Sequence, residues 1–155
     1  MSGPIPTASD LQLDERLCLA LYTASRAMTA RYRPALAALD LTYPQYLVMV
    51  LLWEQGPCGV RAIGDRLALA SSTLSPLVKR LEMMGLVTRT RDVRDERSVV
   101  VGLTEQGRAL RDRAAGVPAE ICVATGLPLP DQAVLVAQLR ELAARLDEST
   151  AVAAG

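Results

Sequence analysis

Between Val60 and Leu103 the apolar positions change period, from helical spacing to the closer alternation of strands. Ile63 and Leu67, four apart, mark one face of a short helix over Arg61 to Leu67. Leu69 to Ser72 interrupts the pattern, and a serine or threonine near such a break can accept a backbone N–H where a second helix begins. That helix is predicted from about Thr73 to Met84. Leu74, Leu77, Val78 and Leu81 turn inward, leaving Ser71, Ser72, Thr73, Ser75, Lys79 and Arg80 outside. Gly85 follows where a left-handed closing residue is needed. Leu86 to Arg91 and Ser98 to Val101 are β-prone runs flanking Asp92 to Arg97, which predicts a hairpin with a charged tip.

Helix, turn, helix and hairpin in that order read as a winged helix-turn-helix within a mainly α fold. The flanking pattern is helical. Asp10 can cap a long amphipathic helix from Leu11 to about Leu39, in which Leu17, Leu21, Ala24 and Met28 form the stripe and Pro34 is tolerated near the far end. Met1 to Ser9, with Pro4 and Pro6, reads as a loose arm. After a turn at Asp40 to Thr42, Thr42 and Gln45 form a capping box with Pro44 early in the next helix, which runs through Glu54 and is apolar nearly all round. Such a helix belongs in the core. Beyond the hairpin, Thr104 to about Val117 is predicted helical. Leu127-Pro128-Leu129-Pro130 separates it from a last helix, Asp131 to about Leu146, striped by Leu135, Leu139, Leu142 and Leu146. Apolar stripes at both ends of so short a chain fit packing against a second copy, or else folding back on the chain's own core.

The length fits one domain, residues 1–155, with 43–103 as the winged part and 10–42 and 104–150 as dimerisation helices. No apolar run approaches a membrane span and no leader-like N-terminus is present, so a cytoplasmic protein without membrane contact is expected. The absence of histidine excludes Ser/His/Asp and Cys/His catalysis. Cys18, Cys58 and Cys122 lack metal-ligand spacing, and no phosphate-cradling glycine loop occurs. Neither a metal nor a cofactor is implied.

The 17 basic and 17 acidic side chains cancel overall, but from Arg61 to Val100 eight basic residues face five acidic ones. A local positive field is what binds phosphate. The hydroxyls and cations of the second helix suit a DNA major groove, and the hairpin arginines, Arg89, Arg91, Arg94 and Arg97, suit the neighbouring minor groove or backbone. An ordinary solvated helix and hairpin is the alternative.

The motif Asp92-Val93-Arg94-Asp95-Glu96-Arg97 resembles the D-x-R-D-x-R wing of the MarR family of dimeric transcription regulators. Val99-Val100-Val101-Gly102-Leu103-Thr104-Glu105-Gln106-Gly107 is similar to that family's passage from wing to next helix. The resemblance implies double-stranded operator DNA as partner, a homodimer, Arg97 entering the minor groove and Asp92 holding the wing.

Cys18 by default is a small buried hydrophobe. Its company suggests more: Tyr22 lies one turn on, while Tyr32 is fourteen residues on and Tyr43 follows the turn. Fourteen helical residues rise about 21 Å, so only a second chain running the opposite way could bring Tyr32 to Cys18. A thiol ringed by phenols would have its anion stabilised by hydrogen bonds and would attack a peroxide oxygen to give a sulfenic acid.

Leu17-Cys18-Leu19-Ala20-Leu21-Tyr22-Thr23-Ala24-Ser25-Arg26-Ala27-Met28 and Leu41-Thr42-Tyr43-Pro44-Gln45-Tyr46-Leu47-Val48-Met49 resemble the organic hydroperoxide resistance branch of the MarR family. The resemblance implies that Tyr32 and Tyr43 of the dimer mate hold the Cys18 thiol. It also implies that Cys122 matches the late cysteine with which some members form an intersubunit disulfide. Cys58 has no counterpart. The function implied is a repressor released from DNA by organic hydroperoxides. Two alternatives stay open: a MarR-type regulator released by a small ligand in a dimer cleft, and a thiol peroxidase.

Overall fold

The computed structural model describes residue 7 and residues 10–153; the arm read at the start of the chain otherwise lies outside the described residues. Seven helices and three strands follow one another there: α1 (Leu17–Ala37), α2 (Tyr43–Gln55), β1 (Cys58–Gly59), α3 (Val60–Leu67), α4 (Ser71–Met83), β2 (Val87–Arg91), β3 (Val99–Leu103), α5 (Glu105–Ala114), α6 (Val117–Thr125) and α7 (Leu129–Ala153). The chain divides into two compact units, one ending at Val117 and the other starting at Pro118.

In the first unit α2 is the centre. Val48, Met49 and Leu52 are fully buried, with Leu36 of α1, Ile63 of α3, Leu74, Val78 and Leu81 of α4, and Val87 and Val101 of the sheet. The helix starts as expected: the Thr42 hydroxyl accepts the Gln45 N–H, the Gln45 side chain accepts the Thr42 N–H at 2.9 Å, and Pro44 stands in the first turn. At its far end Trp53 Nε1 donates to the carbonyl oxygen of Gly107 at 2.8 Å, fastening α2 to α5.

The end of α4 also follows expectation. Gly85 takes φ 74°, its N–H reaches Glu82 O at 2.9 Å, and the Leu86 N–H reaches Leu81 O at 3.0 Å, the paired bonds of a Schellman ending. The hairpin pairs Val87 with Leu103 and Arg91 with Val99, so Val87 and Val101 point into the core while Thr88 and Thr90 point out. The sheet order is β1-β3-β2, and β1 is an addition to the expected hairpin: Cys58 pairs with Val101.

Several expected boundaries move. The first helix starts at Leu17, not Leu11, because the residues before it close on themselves. Leu13–Glu15 is a separate 3-10 turn in which the Glu15 carboxylate takes the Gln12 N–H at 2.9 Å. Asp10 therefore does not cap α1; its carboxylate accepts the Thr7 N–H at 3.1 Å. No serine or threonine caps α4 either. Ala70 is the N-cap residue, without a side-chain bond, and Ser71 and Ser72 form the first turn. α5 ends at Ala114, and a helix not expected from the sequence, α6, follows.

In the second unit Gly126, at φ 67°, closes α6. Gln132 Nε2 then donates to Leu127 O at 2.7 Å, holding the start of α7 against the turn. α7 carries no buried residue, and Leu135, Leu139 and Leu146 of its stripe are exposed. Among the described residues no single helix is long and apolar enough to cross a membrane.

Candidate DNA interface and thiol site

The outer face of α4 follows from its inner one. With Leu74, Val78 and Leu81 buried, helical geometry leaves Ser71, Ser72, Thr73, Ser75, Lys79 and Arg80 exposed, and the structure shows all six so. They form one polar strip with two cations toward its end.

Beside it stands the hairpin, whose tip is closed by its own aspartates. The Asp92 N–H donates to Ser98 O at 2.8 Å, and the Asp92 carboxylate accepts the Arg94 N–H at 2.9 Å. The Asp95 carboxylate accepts the Arg97 N–H at 3.0 Å and the Ser98 hydroxyl at 2.8 Å. Those two bonds hold the Asp95 carboxyl below its ordinary range, the Arg97 N–H having the larger effect. With the Asp92 and Asp95 carboxylates turned to backbone and hydroxyl donors, exposed Arg91, Arg94 and Arg97 carry the outward positive charge, with the exposed carboxylate of Glu96 between the last two.

Arg89 differs from the other arginines of the hairpin. Its guanidinium meets Glu82 of α4 at 2.7 Å, bracing the helix against the base of the hairpin. Asp95, Glu82 and the Trp53 to Gly107 bond are the contributors that sequence reasoning missed. The D-x-x-S spacing of Asp95 and Ser98 was a readable signal of a turn. The other two contacts cross between elements and leave no local trace.

Of the residues expected at the thiol site, Cys18, Tyr22, Tyr32 and Tyr43 occupy two places in the first unit, and Cys122 belongs to the second. Cys18 is exposed in the first turn of α1. One turn on, Tyr22 is exposed too, and Arg26 donates to its hydroxyl at 3.1 Å while lying 5.5 Å from the ring centre. Tyr32 and Tyr43 lie together at the other end of the helix, ring centroids 4.5 Å apart, with Tyr46 at 5.7 Å from Tyr32. Burial pushes the phenols of Tyr43 and Tyr46 up, and for Tyr46 the neighbouring Tyr43 and Glu54 add to this. Both stay protonated, and so able to donate, at neutral pH. α1 is continuous over Leu17–Ala37, so about 21 Å of helix separates Cys18 from Tyr32 of its own chain. Cys122 is half-buried in α6, and its carbonyl oxygen accepts the Thr125 hydroxyl at 2.7 Å.

A buried helical centre, a polar recognition helix and a closed hairpin beside it define a winged helix-turn-helix DNA-binding protein. Comparison with known proteins makes the class specific. The MarR family profile matches residues 41–99. The organic hydroperoxide resistance transcriptional regulator of Bacillus subtilis is 47% identical over 111 residues, 72% of this chain and 76% of that protein. Reduced AbfR bound to DNA superposes with a TM-score of 0.72 at 32% identity, covering 86% of this chain and 93% of that one. A disulfide-formed structure of AbfR, a protein of Staphylococcus epidermidis, gives 0.62 at 34% over 84% and 91%. Bordetella bronchiseptica BpsR, described with 6-hydroxynicotinic acid regulating its DNA binding, gives 0.78 at 26% over 86% and 96%. The chain belongs to the MarR family of transcription regulators, and the Bacillus identity supports the organic hydroperoxide resistance branch within it. It is a DNA-binding regulator, not an enzyme.

Proposed function

We propose that the protein is a cytoplasmic homodimeric repressor that leaves its operator when an organic hydroperoxide oxidises Cys18. The observation that carries this reading is the separation along α1: an exposed thiol at one end and a pair of partly buried phenols at the other. In an antiparallel pair of chains each thiol meets its partner's phenols. Exposed apolar positions on α1 and α7, including Leu17, Leu135, Leu139 and Leu146, supply surface for such a pair.

In this reading the partner's Tyr32 and Tyr43 hydroxyls donate to the thiolate of Cys18. The sulfur attacks one peroxide oxygen, the O–O bond breaks, and the alcohol leaves with a proton. Sulfur is oxidised by two electrons to sulfenic acid. The partner's Cys122 thiol then attacks that sulfur, an S–S bond forms and water leaves. Drawing these points together shifts the two α4 helices out of register with successive major grooves, and the affinity of the pair for DNA falls. The polar strip of α4 reads bases, and Arg91, Arg94 and Arg97 hold the flank, while Arg89 braces the wing through Glu82. AbfR, solved both reduced on DNA and in a disulfide form, shows that a related chain takes up both states.

The test is a gel-shift titration on the promoter beside its own gene, with and without cumene hydroperoxide. Cys18→Ser should bind as the wild type does and stay bound after oxidant; release of the serine form would remove Cys18 from the mechanism. On a non-reducing gel the oxidised dimer band should vanish in Cys122→Ser, and its persistence would remove Cys122.

A second reading, release by a small organic acid, is favoured by one feature. A groove of about 560 Å³ lies between the end of α2, the outer face of the hairpin and α5, lined by Trp53, Pro57 and Val100 with Arg108 and Arg111. Release by 6-hydroxynicotinic acid after alkylation of all thiols would establish it.

A further inference from the structure

The tip of the hairpin presents an apolar side chain that folding does not use. Val93 is 99% exposed. Its backbone is nonetheless held: the Asp92 carboxylate spans it to take the Arg94 N–H at 2.9 Å, and the Asp92 N–H and Ser98 O close the loop behind it at 2.8 Å. This Asx turn fixes Val93 at the outermost corner, and its β-branched side chain has little rotamer freedom of its own. Arg94 and Arg97 stand close by in sequence, their guanidinium groups without a hydrogen bond or ion pair among the described residues. Among the described residues Glu96 is the one acid of the tip whose carboxylate is not turned to a donor of the turn, and Arg91, Arg94 and Arg97 outnumber it. A rigid apolar point flanked by cations matches a narrow slot walled by phosphates.

We propose that Val93 is a specificity-determining residue: it lies against the floor of the minor groove beside each half-site and selects A·T over G·C there. The proposal rests on reading the hairpin as a DNA-binding wing. In the minor groove A·T and T·A present acceptors only, whereas G·C adds the guanine 2-amino donor. A valine methyl pressed on that amino group removes its water and offers no acceptor in return. The arginines supply attraction, and through it a preference for narrow grooves; being donors only they too disfavour the amino group where they reach the floor, so the part due to Val93 is the part that an acceptor at that position relieves.

The experiment separates these two sources of A·T preference. The full-length protein selects duplexes from a randomised pool, and affinity is measured for the selected duplex and for one with adenines at the wing-contacted flank replaced by 2,6-diaminopurine. That base adds the minor-groove amino group and keeps the adenine major-groove edge. Wild type should lose about tenfold in affinity, the usual scale for one wrong base pair. Val93→Thr is nearly the same shape and its hydroxyl can accept the amino hydrogen, so its loss should fall below about threefold. Equal losses in the two proteins would overturn the proposal and leave the preference to the arginines and groove width. If wild type enriches no duplex, the DNA-binding reading itself fails, an outcome distinct from enrichment without dependence on Val93. The exposed position makes misfolding of the variant a non-issue, and a matched thermal unfolding curve verifies this.

Discussion

The ring of Tyr32 packs against that of Tyr43 with 4.5 Å between centroids and 35° between planes. The α1–α2 turn thus delivers two phenols as one unit, and a ligand of that unit receives two donors or none. In Tyr32→Phe or Tyr43→Phe the ring contact and the fold remain, while one hydroxyl is lost. Each should bind DNA as wild type does and slow the oxidation of Cys18 by cumene hydroperoxide about tenfold, the value of one charge-assisted hydrogen bond. Single-turnover thiol oxidation followed at several peroxide concentrations checks this. Burial raises the phenol of Tyr43 above 10.0, so that group keeps its proton until the pH exceeds this value. The oxidation rate should therefore show no decline between pH 7 and pH 10 from ionisation of Tyr43.

Much of this arrangement could be read in the chain because it depends on local chemistry. The Thr42–Gln45 box and Gly85 are each complete within a few residues, and both act as read. β1 was invisible since Cys58–Gly59 is too short to show a period; it exists only because β3 has a free edge. α6 escaped because the stretch Val117–Thr125 is short and, Glu120 and Thr125 aside, apolar or small throughout, and so lacks an amphipathic stripe. The start of α1 was misplaced because Asp10 and Glu15 satisfy turns of their own rather than the helix. Tyr32 and Tyr43 stand out in the sequence, but their mutual stacking depends on how the turn folds. The ion pair of Arg89 with Glu82 was not legible because Glu82 lies across the Gly85 turn, outside any helical spacing.

That Glu82–Arg89 pair is exposed enough that its removal should cost no more than about 1 kcal/mol of stability. Its effect on DNA should be larger, since it sets the angle between α4 and the wing. Glu82→Gln should leave the unfolding midpoint within about 3 °C of wild type and weaken operator binding about fivefold, the scale of a brace shared by two contacting elements. A double-mutant cycle with Arg89→Gln measures the coupling. Additive losses in DNA affinity would mean that Arg89 acts on phosphate directly.

Closure of the wing tip depends on ionised aspartates. Asp95→Ala removes the acceptor for both the Arg97 N–H and the Ser98 hydroxyl. The tip should loosen, with operator affinity falling several-fold and global stability hardly changing, because the residue is exposed. The Asp95 pKa is depressed below 3.8 in the folded chain, so closure is fully present above that value and is lost as the pH falls through the lower, folded one. Amide exchange at Arg97 should accordingly remain protected at pH 5, and equally fast exchange in wild type and Asp95→Ala would show that the carboxylate does not hold the tip.

At Gly107 α5 lies close against the winged part, and the position tolerates no side chain. A Cβ there would lie 2.0 Å from the carbonyl oxygen of Leu86 and 3.3 Å from Leu103 Cδ2. The helix cannot back away, because the Gly107 N–H is held by the Thr104 hydroxyl at 2.9 Å and its carbonyl oxygen by Trp53 at 2.8 Å. Nor can Leu86 yield easily, since its carbonyl accepts the Thr104 N–H at 3.1 Å while the Thr104 hydroxyl donates to Gly85 O at 2.6 Å. The better helix propensity of alanine returns about 1 kcal/mol at most, against overpacking of backbone that costs about 3 kcal/mol or more. Gly107→Ala should therefore lower the melting temperature by about 5 °C or more, at 2–4 °C per kcal/mol for a chain of this size. Gly116 provides the comparison, as a Cβ there meets nothing within 4 Å. Gly116→Ala should be neutral or stabilising by up to about 1 kcal/mol. Similar melting temperatures for the two variants would mean that α5 and the hairpin slide past each other freely, and that Trp53 does not fasten α5 in place.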